Sequence, residues 1–309
     1  MTAILTNALR LFPRLSLSAL VLLFALAARP ALPAAQQPYA QGLLWQVERP
    51  GVAPNYLFGT IHITDERVLD LPPPVRAAFE AARSATFEVI MTDEVRIKMA
   101  RAMVLNDGRT LESILGPELY EETVAAGRRY GIGPERLRHF KPWALATIFS
   151  IPQAELARTS SGDLPLDQWL QAEAARRGKP LHALESADEQ IALFNDLAEA
   201  DQVALLEAAV ADNAAIEAMF EEMTRLYLAR DVGAIVAKML ADSGSQRPRI
   251  LELFMLRFNE ARNAVMVERM AERLNEGGAF IAIGALHLPG ETGLLSLLER
   301  RGYRLTRLY

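Results

Sequence analysis

Tyr56-Leu57-Phe58-Gly59-Thr60-Ile61-His62 is an apolar run closed by Gly-x-x-His, and Phe280-Ile281-Ala282-Ile283-Gly284-Ala285-Leu286-His287 repeats the pattern near the other end of the chain. A short apolar run bounded by turn residues reads as a buried strand. A glycine at its end lets backbone or ligand approach closely, because it carries no Cβ. The histidine three residues on then falls at or just past the C-terminal edge of the strand, where open α/β sheets bind their ligands. The chain has four histidines, and two of them hold these matched places. A lone histidine beside apolar residues is more often a hydrogen-bonded structural residue. The duplication is what makes a shared site the reading here.

Outward from the first motif, Leu43-Leu44-Trp45-Gln46-Val47 reads as a strand, and Pro50-Gly51 and Pro54-Asn55 mark a turn. The two strands therefore form a hairpin. Leu71-Pro72-Pro73-Pro74 is a stiff entry to a helix over 75–83, and Ala85-Thr86-Phe87-Glu88-Val89-Ile90 is a strand by its β-branched and aromatic content. Glu88 is its odd member. It either faces water on an edge or is buried with a partner, since an unpartnered buried carboxylate is costly. From Asp93 to about Gly178 the pattern is helical, punctuated by Pro117, Pro134, Pro142 and Pro152.

Leu181-His182-Ala183-Leu184 is a short strand, and Ser186-Ala187-Asp188-Glu189 has the capping-box pattern of a helix start. Glu185 thus stands at a strand-to-helix junction, as a helix-terminal acid or as a site residue. His139 reads as structural or solvated, and His182, within the strand, as a core residue. Amphipathic helix continues to about 241, and a long helix runs from Arg249 to Asn275, stopped by Gly277-Gly278. Within it Asn259, Arg262, Asn263 and Met266 share one face, either a solvated stripe or part of a site. After the second motif a helix over 293–301 and a strand over 303–308 suggest a parallel βαβ unit. The expected fold is α/β: a central mixed sheet built from both chain ends, with a large helical insertion at about 93–250.

Residues 1–28 read as a signal peptide or an N-terminal anchor. Arg10 and Arg14 precede an apolar stretch from Leu15 to Ala28, short for a membrane span, and Ala25-Leu26-Ala27 offers a cleavage site. Residues 29–40, rich in Ala, Pro and Gln, read as a linker, and 41–309 as one domain. The expected location is outside the cytoplasm, in the periplasm or cell envelope, with a possible membrane tether through the N-terminal segment. The 33 basic and 38 acidic residues leave a net charge of −5 with no dense basic run, which argues against a nucleic-acid partner. The absence of cysteine excludes disulfides, thiolate metal sites and a cysteine nucleophile.

Leu57-Phe58-Gly59-Thr60-Ile61-His62 resembles the first signature of the TraB/GumN family, to which the Tiki proteases are related. Ala282 to Gly290, followed by Gly293-Leu294 and Gly302-Tyr303, resembles the last. The resemblance runs from about Leu43 to the C-terminus, with a looser middle. The family carries a glutamate on the strand after the first motif, a Leu-Glu with a glutamine five residues on, and an Arg-Asn pair. The matching positions are Glu88, Glu185 with Gln190, and Arg262 with Asn263. The resemblance implies a metal-dependent protease.

Chemically, His62, His287 and Glu88 make a nitrogen/oxygen ligand set suited to a divalent transition metal, Mn, Co, Zn or Fe. Glu88, Glu185, Arg262 and Asn263 are the candidate catalytic residues. A carboxylate outside the ligand set is a general-base candidate, and Arg262 a candidate clamp for a substrate carboxylate or an oxyanion. His-Glu-x-x-His is absent, so the usual zinc-protease helix is not the basis. The expected function is a hydrolase of peptide or small-molecule substrates. The alternative is a non-catalytic envelope protein that binds a peptide or small ligand.

Overall fold

The computed structural model describes residues 37–212, 215–243 and 254–309. The expected leader at 1–28 and most of the expected linker lie outside the described residues. Six strands form one mixed sheet: β1 (Leu44–Glu48), β2 (Asn55–Thr60), β3 (Ser84–Phe87), β4 (Leu181–Ala183), β5 (Ala279–Gly284) and β6 (Arg304–Arg307). Their order across the sheet is β4-β3-β5-β2-β1-β6. Both chain ends therefore build the sheet, and helices fill most of the chain between β3 and β5, as expected.

β1 and β2 form the expected antiparallel hairpin, with Trp45 opposite Leu57. β2 and β5 are parallel neighbours, and Gly59 pairs with Ile283 while Thr60 pairs with Gly284. The two Gly-x-x-His motifs thus end side by side, one residue out of step. β3 lies parallel to β5 on its other side, and β4 lies parallel to β3. β6 pairs antiparallel with β1. It runs in the direction of β5, as a βαβ unit requires, but β2 and β1 stand between them.

A strand buried on both faces is apolar throughout, and β5 shows why. Ile281 and Ile283 turn to one face, where Leu57, Met266, Met270, Leu274, Leu294 and Leu298 form a continuous core. Phe280 turns to the other, against Phe58 and the edge of Phe79 from the helix Pro73–Ala81. The expected strand over 85–90 stops at Phe87, so Glu88 follows the strand instead of lying within it. The expected long helix is interrupted. A π-helical turn, Phe254–Glu260, leads into the helices Ala261–Arg269 and Ala271–Glu276.

The chain divides into two compact units, one of which holds the sheet and runs through the described parts of 26–90, Leu164–Ser186 and Glu222–Tyr309. The other contains Met91–Asp163 and Ala187–Glu221 and is helical. There Pro117, Pro134 and Pro142 each take the first helical position, where a missing N–H costs nothing. The helix Pro142–Phe149 is buried along its whole length. Its Trp143 stacks on Phe194 at 5.0 Å and donates to Asn195 Oδ1 at 3.0 Å.

Candidate functional site

The C-terminal edge of four parallel strands collects the polar residues of the sheet unit. His62 follows β2, Glu88 follows β3, Glu185 follows β4 by two residues, and His287 sits on the single turn Ala285–His287 after β5. Pairing continues past the strand ends: Leu184 N–H donates to Phe87 O at 2.9 Å and Glu185 N–H to Glu88 O at 2.7 Å. Gly284 N–H donates to Glu88 Oε1 at 2.7 Å. A Cβ on Gly284 would stand 3.2 Å from Glu88 Oε1, 3.6 Å from His287 Cδ2 and 4.0 Å from His62 Nε2. The missing side chain therefore leaves a cradle bounded by one carboxylate and two imidazoles. Gly59 has a different task. A Cβ there would meet Leu288 Cδ1 at 2.7 Å, so the glycine lets the two motifs pack together.

Arg262 enters this group from the helix Ala261–Arg269, and every N–H of its guanidinium is taken. Nε donates to Glu185 Oε1 at 2.8 Å, and Nη2 donates to Glu185 Oε2 and Glu88 Oε2, each at 2.6 Å. Nη1 donates to Phe258 O at 3.0 Å and lies 3.2 Å from His287 Nε2. A guanidinium offers five donors, so in this arrangement none remains for a substrate carboxylate or oxyanion. The arginine instead ties two buried glutamates together. The face shared by Asn259, Arg262, Asn263 and Met266 is buried, not a solvated stripe.

The protonation of His287 follows from its neighbours. Asn259 Nδ2 donates to Leu286 O, which leaves Asn259 Oδ1 to accept from Asn263 Nδ2. Asn263 Nδ2 also donates to Thr292 O, so Asn263 Oδ1 is the atom 2.6 Å from His287 Nδ1. Nδ1 must then carry the proton, and Nε2 keeps its lone pair toward Arg262 and Glu88. Burial and the adjacent Arg262 charge push the His287 pKa down to about 3, which keeps the ring neutral.

His62 is held differently. Its Nδ1 lies 2.9 Å from Asp167 Oδ1, within ion-pair distance, although the angle falls short of a hydrogen bond. Burial alone would lower its pKa, but the Asp167 and Glu88 carboxylates outweigh burial and raise it. For Glu88, burial raises the pKa, but Arg262, the two histidines and the Gly284 N–H outweigh it and hold the carboxyl well below the usual range.

The structure therefore brings His62, His287, Glu88, Glu185, Arg262 and Asn263 together, and it is Glu88 that faces the histidines while Glu185 is bound to Arg262. His139 belongs to the helical unit, and His182 Nε2 lies 3.4 Å from Arg273. Two participants were not singled out by sequence. Asp167 reads only as an acid opening a helix, and Tyr227 carries no motif, yet its hydroxyl donates to Gly59 O at 2.7 Å.

The donor chemistry suits a divalent transition metal. His287, neutral with Nδ1 on Asn263, turns Nε2 inward, where it faces Arg262 Nη1 at 3.2 Å, and His62 Nε2 borders the same cradle beside Gly284. Two buried carboxylates, Glu88 and Glu185, share the Arg262 guanidinium, and a third, Asp167, faces His62, so oxygen donors stand beside both imidazoles. Yet among the described residues no three His, Asp or Glu side chains stand ready-made around a metal position. The group is drawn around the Arg262 guanidinium instead.

Comparison with known proteins gives a family and several relatives. The profile of the TraB/PrgY/gumN family matches residues 43–307. The chain is 26% identical to the metalloprotease TIKI2 of Danio rerio, over 84% of this chain and 60% of that protein. It is 24% identical to the metalloprotease TIKI1 of Homo sapiens, over 87% of this chain and 62% of that protein. A metalloprotease TIKI homolog of Nematostella vectensis is 24% identical over 84% of this chain and 65% of its own length. The chain thus spans about 60% of the length of these relatives. No solved structure matches.

Proposed function

The chain belongs to the TraB/PrgY/gumN family, and from that membership we propose a metal-dependent, peptidase-like hydrolase centred on the C-terminal edge of β2, β3, β4 and β5. The observation that carries the reading is the convergence of two imidazoles on Glu88, with Nδ1 of His287 bonded to Asn263 and Nδ1 of His62 2.9 Å from Asp167. His62, His287 and Glu88 would hold a manganese, cobalt, zinc or iron ion, which when bound supplies Lewis acidity and a water of lowered pKa. The named activity of the relatives, metalloprotease, supports this reading; it belongs to chains longer than this one.

The chain's own residues then divide the work. Asn263 holds the Nδ1 proton of His287, so Nε2 stays unprotonated. Arg262 holds Glu88 and Glu185 in place and keeps Glu88 ionised. Glu185, with both oxygens on Arg262, anchors that arginine and is not free to act as a base. Gly284 keeps the space between the histidines open. The substrate is a peptide or a related small molecule. Export is part of the proposal: the arginine-flanked apolar segment at 1–28 directs the chain to the periplasm or cell envelope, as a cleaved leader or a tether.

A second reading, an envelope protein that binds a peptide or small ligand without catalysis, is favoured by the absence among the described residues of a ready-made metal group. Purified protein assayed on a quenched fluorescent peptide library separates the two. Cleavage that chelator abolishes and one of the four metals restores supports the hydrolase. Peptide binding without cleavage under any of the four supports the second reading.

A further inference from the structure

We propose that Asp167 is a positioning residue for His62: it fixes the imidazole as the Nδ1–H tautomer and turns Nε2 into the cradle beside Glu88. The inference deepens the metal-dependent reading and rests on it for its functional meaning. It begins with the chain path. Leu166 N–H donates to Ile63 O at 3.1 Å, which ties the start of the helix Leu166–Arg176 to the segment just past His62. The next residue is Asp167, and its Oδ1 meets His62 Nδ1 at 2.9 Å. Both atoms are buried. Pro165 is the residue at the helix cap and no side chain caps this helix, so Asp167 is not spent on that duty. Among the described residues it forms no ion pair with lysine or arginine.

An acid in a first helical turn is ordinarily explained by the helix dipole. That account needs only the backbone and places the carboxylate in water. Here the side chain is 19% exposed and Oδ1 is buried against a histidine from another element. Charge makes the two histidines unequal. His287 is held by a neutral amide, Asn263 Oδ1, whereas His62 is held by an anion. A carboxylate on the far nitrogen makes an imidazole the more basic ligand and fixes its ring plane. His62 is therefore the stronger donor of the pair, and Asp167 is the reason.

The test reads the ring nitrogens directly. Nitrogen-15 spectra of the four histidines would be recorded on the full chain in chelator at alkaline pH, with His62 assigned from His62→Gln. The expected result is His62 as Nδ1–H in the wild type, and as the Nε2–H form that prevails in free histidine in Asp167→Ala. Asp167→Asn, which keeps an acceptor but not the charge, should retain Nδ1–H. Cobalt titration of the same proteins, read by visible absorption, should weaken about 10–100-fold in Asp167→Ala, with Asp167→Asn between. A wild-type His62 in the Nε2–H form overturns the proposal without any variant. An Asp167→Ala spectrum that keeps Nδ1–H does so as well. If cobalt binds none of the proteins, the metal reading fails, while the tautomer still decides the role of Asp167.

Discussion

Replacing Arg262 with methionine would keep most of the side-chain volume and remove the charge that holds the two glutamates. The guanidinium makes three bonds of 2.6–2.8 Å to Glu88 and Glu185, whose side chains are 8% and 6% exposed. Removing one partner of a buried ion pair costs about 3–5 kcal/mol, because the other charge is left without compensation. Two carboxylates lose the same partner here, and uptake of a proton by one of them limits the loss. The expected destabilisation of Arg262→Met is therefore about 3–5 kcal/mol at pH 7, a large share of the ~5–15 kcal/mol typical of a whole domain.

The pH dependence has a definite sign. With Arg262 present the Glu88 pKa lies below its ordinary value of 4.5, so its contribution is present above 4.5 and is lost as pH falls. Without Arg262, burial raises that pKa, and the variant suffers less in acid. The gap between wild type and variant should thus be widest near neutrality and narrow toward pH of about 4. Urea unfolding in chelator at several pH values measures it. Arg262→Lys, with at most three N–H for five acceptors, should fall between. A gap under about 1 kcal/mol at pH 7, the scale of a surface pair, or one that widens in acid, would refute the buried-network account.

Gly284→Ala should leave the backbone unstrained, since its φ is −49°, but put a methyl 3.2 Å from Glu88 Oε1; metal affinity and hydrolysis should drop while the melting temperature barely moves. Gly59→Ala should do the reverse, with overpacking against Leu288 costing about 1–3 kcal/mol in urea unfolding. Asn263→Ala should cost about 1–3 kcal/mol by leaving His287 Nδ1–H buried without an acceptor. His287, neutral when folded, contributes stability that is complete above 6.5 and lost as pH falls toward about 3. The advantage of wild type over His287→Gln in chelator should accordingly shrink through that range.

Much of the sheet was legible because the signal is local. The apolar runs of β2 and β5, each closed by Gly-x-x-His, and the turn residues after β1 fix elements by periodicity and glycine alone. Glu88 was legible as an anomaly, an acid in an apolar run, although the strand ends one residue before it. Asn259, Arg262 and Asn263 were legible as a helical face, but spacing does not say whether a polar face turns to water or inward. The partner that decides this, Glu185, lies far off in sequence. Asp167 was not legible as a site residue. An acid in a first helical turn is what any solvent-exposed helix prefers, and it is tertiary packing, including the Leu166–Ile63 hydrogen bond, that brings this one to His62. Tyr227 was hidden for the same reason, since its contact with Gly59 O is set by tertiary packing.

The central claim is that the paired histidines hold a metal. Elemental analysis of the full chain, purified without added metal or chelator, tests it directly when run beside His62→Ala and His287→Ala. The account predicts about one transition-metal ion per chain in the wild type, loss of that ion in both variants, and retained cooperative unfolding, since both histidines lie past their strand ends. A wild type that carries no metal and takes up none on dialysis against Mn, Co, Zn or Fe would contradict it. So would variants that keep the wild-type content.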